Sequence, residues 1–319
     1  MRISLENIRG KNPSLYARKV LKECELRHPP ICEKTVADYL GLNIREFSLE
    51  DMPGNERFFG VIKRVFAWLH RKPKGKSRIY VHRDIRLERK RLSVLHECCH
   101  FVIPWHWEFD YMCDEKDIDS AVQGRVEREA YDCGSEFLMP WEMFVDDILS
   151  LETGISAIEQ LSSRYVASLE ATAIRYARVH PGICGMVMVE AAENQKGEAV
   201  SSHLISARQL SLGNEIPSGQ AKLDDTERYP LKVKYFVGSP RFGKYFRHGT
   251  GIEEGNSVFE AWASGRQIQD EIPASVFGSS ARWAYNAECL PLGNCGKMLV
   301  LLWLPDRQLT LDFGKEVVL

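Results

Sequence analysis

His96, Glu97 and His100 stand within the apolar run Leu92 to Val102 in the order H-E-x-x-H. On a helix, positions four apart stack on one face with Cβ atoms about 5–6 Å apart. Two imidazoles at that spacing can grip one divalent cation at about 2.0–2.1 Å each. Glu97 then leans toward the open side of the cation, where its carboxylate can take a proton from water. That combination is the minimal kit for metal-assisted hydrolysis of a peptide bond. The competing reading is a core helix whose two histidines are satisfied by ordinary neighbours.

These residues need elements to carry them. Leu92, Leu95, Cys99 and Val102 recur at helical spacing and predict the buried stripe of an amphipathic helix. Upstream, Ser77 to His82 alternates and is rich in β-prone residues, so a strand is expected to feed that helix. If this strand is an edge, it would pair with an extended substrate backbone, which makes Tyr80 and His82 candidate substrate contacts.

A catalytic zinc takes three protein ligands and keeps one position for water. His106 lies ten residues after His96, the spacing of the pattern H-E-x-x-H-x-x-G-x-x-H. That pattern turns at a glycine, and this chain has Ile103 there, which cannot cheaply adopt a positive φ. Val126 to Pro140 reads instead as a second helix stopped by Pro140. Glu127, Ala130, Gly134 and Leu138 share one of its faces, and the small residues would let it lie close to the first helix. Glu127 is therefore the expected third ligand, with Glu129 and His106 in reserve. A solvated surface charge is the ordinary fate of either glutamate.

Glu127-x-x-Ala130 followed by Phe137-Leu138-Met139-Pro140, downstream of Leu95-His96-Glu97-x-x-His100, resembles the ImmA/IrrE family of metallopeptidases. The stretches Ala17 to Leu21 and Val36 to Leu42 are similar to that family's opening helices, and the resemblance covers roughly residues 14–180. Tyr131, Cys133 and Gly134 depart from the family's Asn, Phe and Ala. The Asn would orient a ligand, and Tyr131 is the candidate to replace it through its hydroxyl. The resemblance implies a zinc-dependent, site-specific endopeptidase that cuts a helix-turn-helix transcriptional repressor to release a stress or mobile-element response. Manganese or iron could replace the zinc.

Composition sets the outer bounds. The chain has 319 residues, enough for two domains, with 44% hydrophobic and 27% charged residues, as in ordinary globular proteins. A net charge of −2 excludes a global field that would drive binding to nucleic acid or a membrane surface. The N-terminal residues show no apolar signal core, and the longest apolar run, Met298 to Leu304, is too short to span a bilayer. Nine cysteines form no regular framework, so reduced thiols and a cytoplasmic location are expected. Arg57 to Arg91 is locally basic, either a solubilising surface or a patch that steers an acidic partner.

The expected fold is α+β in three parts. Residues 1–152 form a mostly helical zincin-like core with a small sheet, strands being placed at Phe58 to Leu69 and Arg78 to His82 and helices over residues 14–45. Residues 153–181 form a helix-turn-helix-like segment with Ser168 as N-cap, offering Glu170, Thr172, Arg175 and Arg178 outward. Residues 182–319 form an α+β, GAF-like regulatory or substrate-docking domain in which Trp262, Trp283, Tyr285 and Trp303 could line a pocket. Two other functions compete with peptidase activity. One is a non-catalytic metal-binding adaptor that sequesters a regulator, and the other a DNA-binding regulator acting through residues 153–179.

Overall fold

The computed structural model describes residues 12–48, 65–72, 76–107, 112–114, 123–192, 229–293 and 296–304. Expectations for residues 58–64, the tip of the basic loop at 73–75, the acidic linker after residue 114 and the strand at 309–313 lie outside these. The fold is mixed α+β with two sheets. The chain divides into two compact units, residues 1–147 with 159–172, and residues 148–158 with 173–319. No described helix is long and apolar enough to cross a membrane.

The first unit opens with α1 (Ser14–Glu23) and α2 (Glu33–Tyr39). Its sheet holds β1 (Asn43–Phe47), β2 (Val65–His70), β3 (Arg78–His82) and β4 (Met112–Asp114) in the order β1-β3-β2-β4. β1 runs parallel to β3, while β2 is antiparallel to both β3 and β4. Two expectations are corrected here. Residues 43–45 belong to a strand rather than to the end of the helical stretch expected over residues 14–45 with its break at His28-Pro29-Pro30. β3 is interior, hydrogen-bonded to β1 on one side and β2 on the other, so its backbone groups are already paired and cannot receive a substrate strand. Ile79 and Val81 point into the core with no exposure, as the alternation requires.

The long helix α3 (Leu87–Val102) packs against this sheet and against α1, α2 and a second long helix, α4 (Gln123–Leu138). Val94, Leu95, Cys98, Cys99 and Val102 make its buried stripe. Both helices stop short of the residue before a proline, α3 at Val102 ahead of Ile103-Pro104 and α4 at Leu138 ahead of Met139-Pro140. A following proline disfavours the helical backbone, so each stop is written in the sequence. Arg91 anchors α3 from within: its guanidinium donates to Glu33 and to the carbonyls of Ile31, Tyr165 and Val166.

The helices α5 (Trp141–Leu149), α6 (Ile155–Tyr165) and α7 (Leu169–Val179) follow. Ser168 caps α7, its Oγ accepting from Ala171 N at 3.2 Å. Thr172 and Arg175, expected to face outward, are buried, and only Glu170 and Arg178 of that set remain exposed. The helix buries this side because Ala173, Tyr176 and Ala177 lie beside it in the apolar stripe.

The second unit contains a six-stranded antiparallel sheet. Its strands are β5 (Cys184–Ala191), β6 (Leu231–Gly238), β7 (Gly251–Ile252), β8 (Ile268–Pro273), β9 (Ala284–Pro291) and β10 (Lys297–Trp303), in the order β7-β6-β5-β10-β9-β8. One helix, α8 (Ser257–Ser264), is capped by Asn256, whose Oδ1 accepts from the backbone of Val258 and Phe259, and it ends at Gly265 with φ +65°. Trp262 and Tyr285 are packed into the core of this unit, while Trp283 is partly exposed beneath Lys244. The apolar area of Trp262 and Tyr285 contributes to the core under the sheet.

Candidate metal centre

α3 and α4 bring three donors together. His96 Nε2 lies 3.0 Å from Glu127 Oε2 and 3.0 Å from His100 Nε2, and His100 Nε2 lies 3.4 Å from Glu127 Oε1. The four-residue spacing sets the two imidazoles over one another, ring centroids 4.7 Å apart. Glu127 reaches them because α4 lies close to α3, with Gly134 set against the backbone of His96. His96, His100 and Glu127 are 4%, 0% and 6% exposed.

The donor set tests whether a cation fits. Ligands about 2.0–2.1 Å from a common tetrahedral centre stand about 3.3 Å from each other. The observed separations lie near that value, and all the ligand atoms fall within 4.8 Å of one another. Burial pulls the His100 imidazole down to about 3, so it is neutral near pH 7 with a ring nitrogen available as a donor. Burial opposes ionisation of Glu127, but the two imidazoles facing it prevail and hold the carboxyl well below the usual range. Neutral imidazoles and an ionised carboxylate are the forms that bind metal. A single hydrogen can bridge the two Nε2 atoms at 3.0 Å, and a cation held by both imidazoles and Glu127 would take the place of that bond. The residues fit a divalent ion.

Glu97, between the two histidines on α3, has no exposure. Fully buried glutamates are rare unless paired or bound, so its position sets it apart from surface charge. Tyr131 follows Glu127 by one turn of α4, and its half-exposed ring lies on that of His96, centroids 4.6 Å apart.

The two reserve ligands stay outside the cluster. Ile103 leaves α3 in an extended conformation (φ −78°, ψ 114°) rather than a left-handed turn. His106 is thereby carried behind the site, its Nδ1 3.1 Å from His100 Nδ1, on the far side of that ring. Glu129, two residues past Glu127 and so on the other side of α4, meets His106 Nε2 at 3.2 Å and also accepts from Trp105 Nε1 and Arg125 Nε. Arg71 Nη2 donates to the carbonyls of His100 and His106 at 2.7 and 3.1 Å. Sequence reasoning missed this arrangement behind the donors; Pro104, which straightens the exit from α3, was its one readable signal.

Tyr80 and His82 are engaged within their own sheet. Tyr80 stacks on Trp68 with centroids 4.7 Å apart, and its hydroxyl meets Arg78 at 3.5 Å. His82 Nδ1 accepts from Asp84 N at 3.1 Å. The basic stretch is likewise occupied in part: beside Arg71 and Arg91, Lys90 pairs with Glu46 at 2.8 Å and Arg89 lies over Phe66. Cys98, Cys99 and Cys133 are buried free thiols behind the donors.

No curated protein matches the chain. Among solved structures, it resembles one titled a transcriptional regulator of Mycobacterium tuberculosis, with a TM-score of 0.51 and 12% identity, over 97% of this chain and 81% of that one. At that identity the likeness is one of fold. Residues 37–176, which include both α3 and α4, match the family model described as Peptidase_M78, IrrE N-terminal-like domain.

Proposed function

We propose that the chain is a metal-dependent, site-specific endopeptidase in which His96, His100 and Glu127 hold the ion and Glu97 moves the proton. The observation that carries this reading is the convergence of three buried donors from two helices within 4.8 Å, with a fully buried glutamate between the histidines. Two nitrogens and one carboxylate suit zinc, and manganese or iron are the alternatives for the same donors. When bound, the ion supplies Lewis acidity toward water and the scissile carbonyl. The Glu97 carboxylate takes a proton from the attacking water and delivers it to the departing amine nitrogen, acting first as base and then as acid. Glu127, ionised and held on α4, fixes His96 by its 3.0 Å contact and keeps the histidine pair oriented. The substrate class we propose is a helix-turn-helix repressor, cut in the cytoplasm, where the free thiols of Cys98, Cys99 and Cys133 would stay reduced.

One observation favours a second reading. The Tyr131 ring lies on His96, and all three donors are buried, as would suit a metal-binding adaptor that sequesters a regulator without cutting it. A DNA-binding role has less support, because the burial of Thr172 and Arg175 leaves α7 a single exposed arginine from the expected face. The deciding experiment co-expresses the chain with a repressor encoded beside it, as wild type and as Glu97→Gln, and measures cleavage and metal content. Metal in both proteins with cleavage only by the wild type supports the peptidase. Metal in both with cleavage by neither supports the adaptor. Cleavage retained by Glu97→Gln refutes the proposed mechanism.

A further inference from the structure

The bond between His100 and His106 has a direction that the surrounding groups determine. The two Nδ1 atoms are 3.1 Å apart, so one of them must carry the shared hydrogen. If His106 supplied it, His106 Nε2 would be bare and would face Glu129 Oε2 at 3.2 Å, acceptor against acceptor. Glu129 accepts from Trp105 Nε1 and from Arg125 Nε as well, and these bonds call for a carboxylate, which has no hydrogen to give back. The arrangement that satisfies these contacts together is the opposite one. His100 Nδ1–H donates to His106 Nδ1, and His106 Nε2–H donates to Glu129. His100 Nε2 is then left without a hydrogen, facing His96 and Glu127.

We propose that His106 is a positioning residue for the metal centre, holding His100 in the tautomer and ring orientation that present Nε2 to the ion, with Glu129 fixing the tautomer of His106 in turn. This rests on the metal-binding reading of His96, His100 and Glu127. His106 has no exposure, and Arg71 clamps the carbonyls of His100 and His106 together, so the spacing of the two rings is set by the backbone. A ligand histidine whose second nitrogen is tied to a further acceptor is the more basic and better oriented donor, and losing such a partner typically weakens metal binding about 10–100-fold.

The test titrates Co2+ into the full metal-free chain and follows the visible absorption of the bound ion, with far-UV circular dichroism and thermal unfolding recorded beside it. His106→Leu keeps bulk and removes the acceptor. His106→Asn places an amide oxygen near the position of the lost Nδ1. The expected result is Co2+ binding weakened about 10–100-fold and an altered absorption band in His106→Leu, with most of the affinity restored in His106→Asn. Wild-type affinity and an unchanged band in folded His106→Leu overturn the proposal, as does a folded His106→Asn that recovers nothing. Should His106→Leu fail to fold, Glu129→Gln decides: its amide can donate to His106 Nε2 and frees the reverse tautomer, so weaker Co2+ binding supports the relay and unchanged binding overturns it. Wild-type protein that takes up no Co2+ overturns the metal reading itself and this inference with it.

Discussion

Gly134 on α4 faces the backbone of His96 on α3, and a Cβ built at residue 134 would stand 3.4 Å from the His96 Cα. That is ordinary contact for one methyl group and leaves no room for more. Gly134→Ala is expected to fold and bind metal as the wild type does, with a helix-propensity gain of about 1 kcal/mol. Gly134→Leu must push the helices apart, costing about 1–3 kcal/mol through overpacking and drawing Glu127 away from the histidines. Thermal unfolding and elemental analysis of the two variants check this; a Leu variant with a full metal complement would show that the close approach does not set the site.

Glu127 and Glu129 are two residues apart and have different jobs. Glu127 meets both imidazoles at their Nε2 atoms, whereas Glu129 touches neither ligand histidine directly and bonds His106. Glu127→Ala is expected to lower metal affinity by more than about 100-fold, and Glu129→Ala by less, within the range seen for groups behind a ligand. Competition against a chromophoric chelator measures both. Equal losses in the two variants would contradict the assignment of Glu127 as a direct ligand.

The parts of the site governed by helical period were legible in the sequence. His96 and His100 share a face because they are four apart, and Glu127, Ala130 and Gly134 share another for the same reason. What depended on distant pairing was not legible. Asn43 to Phe47 became a strand through its parallel register with Arg78 to His82, and that partner also made β3 interior. Strand preference is set largely by such neighbours rather than by the segment itself. The place of His106 depended on how the chain left α3, where Ile103 and Pro104 had to be read together. Thr172 and Arg175 looked like surface residues by type, yet the apolar stripe of α7 carried them inward.

Arg91 lies five residues before His96 on the same helix and is only 4% exposed. It donates to three main-chain carbonyls, of Ile31, Tyr165 and Val166, and pairs with Glu33 at 3.1 Å. Arg91→Met would keep much of the side-chain volume but strand these acceptors. The expected loss is about 2–4 kcal/mol, since buried groups deprived of their partners carry their full desolvation cost. Urea denaturation of the metal-free chain reads it. A loss below about 0.5 kcal/mol would mean that water replaces the guanidinium at these carbonyls.

Acid should destabilise the metal-free chain through the donors themselves. The His100 imidazole, pulled by burial from 6.5 to about 3, takes up its proton in the unfolded chain well before it does so in the folded one. Between those values the unfolded state binds more protons, so stability falls as pH falls, beginning near pH 6.5. Glu127 acts in the same direction at lower pH: its carboxyl is depressed in the fold, and its contribution is present above the usual carboxylate range and lost on further acidification. Unfolding midpoints in urea from pH 8 to pH 4 should therefore decline from about pH 6.5 downward, and His100→Asn should flatten the upper part of that decline. Bound metal opposes the effect at neutral pH by favouring the deprotonated donors, so the loaded chain should hold its midpoint to lower pH and then lose ion and stability together. A metal-free profile that is level from pH 8 to pH 5 would show that His100 is not held neutral by the fold.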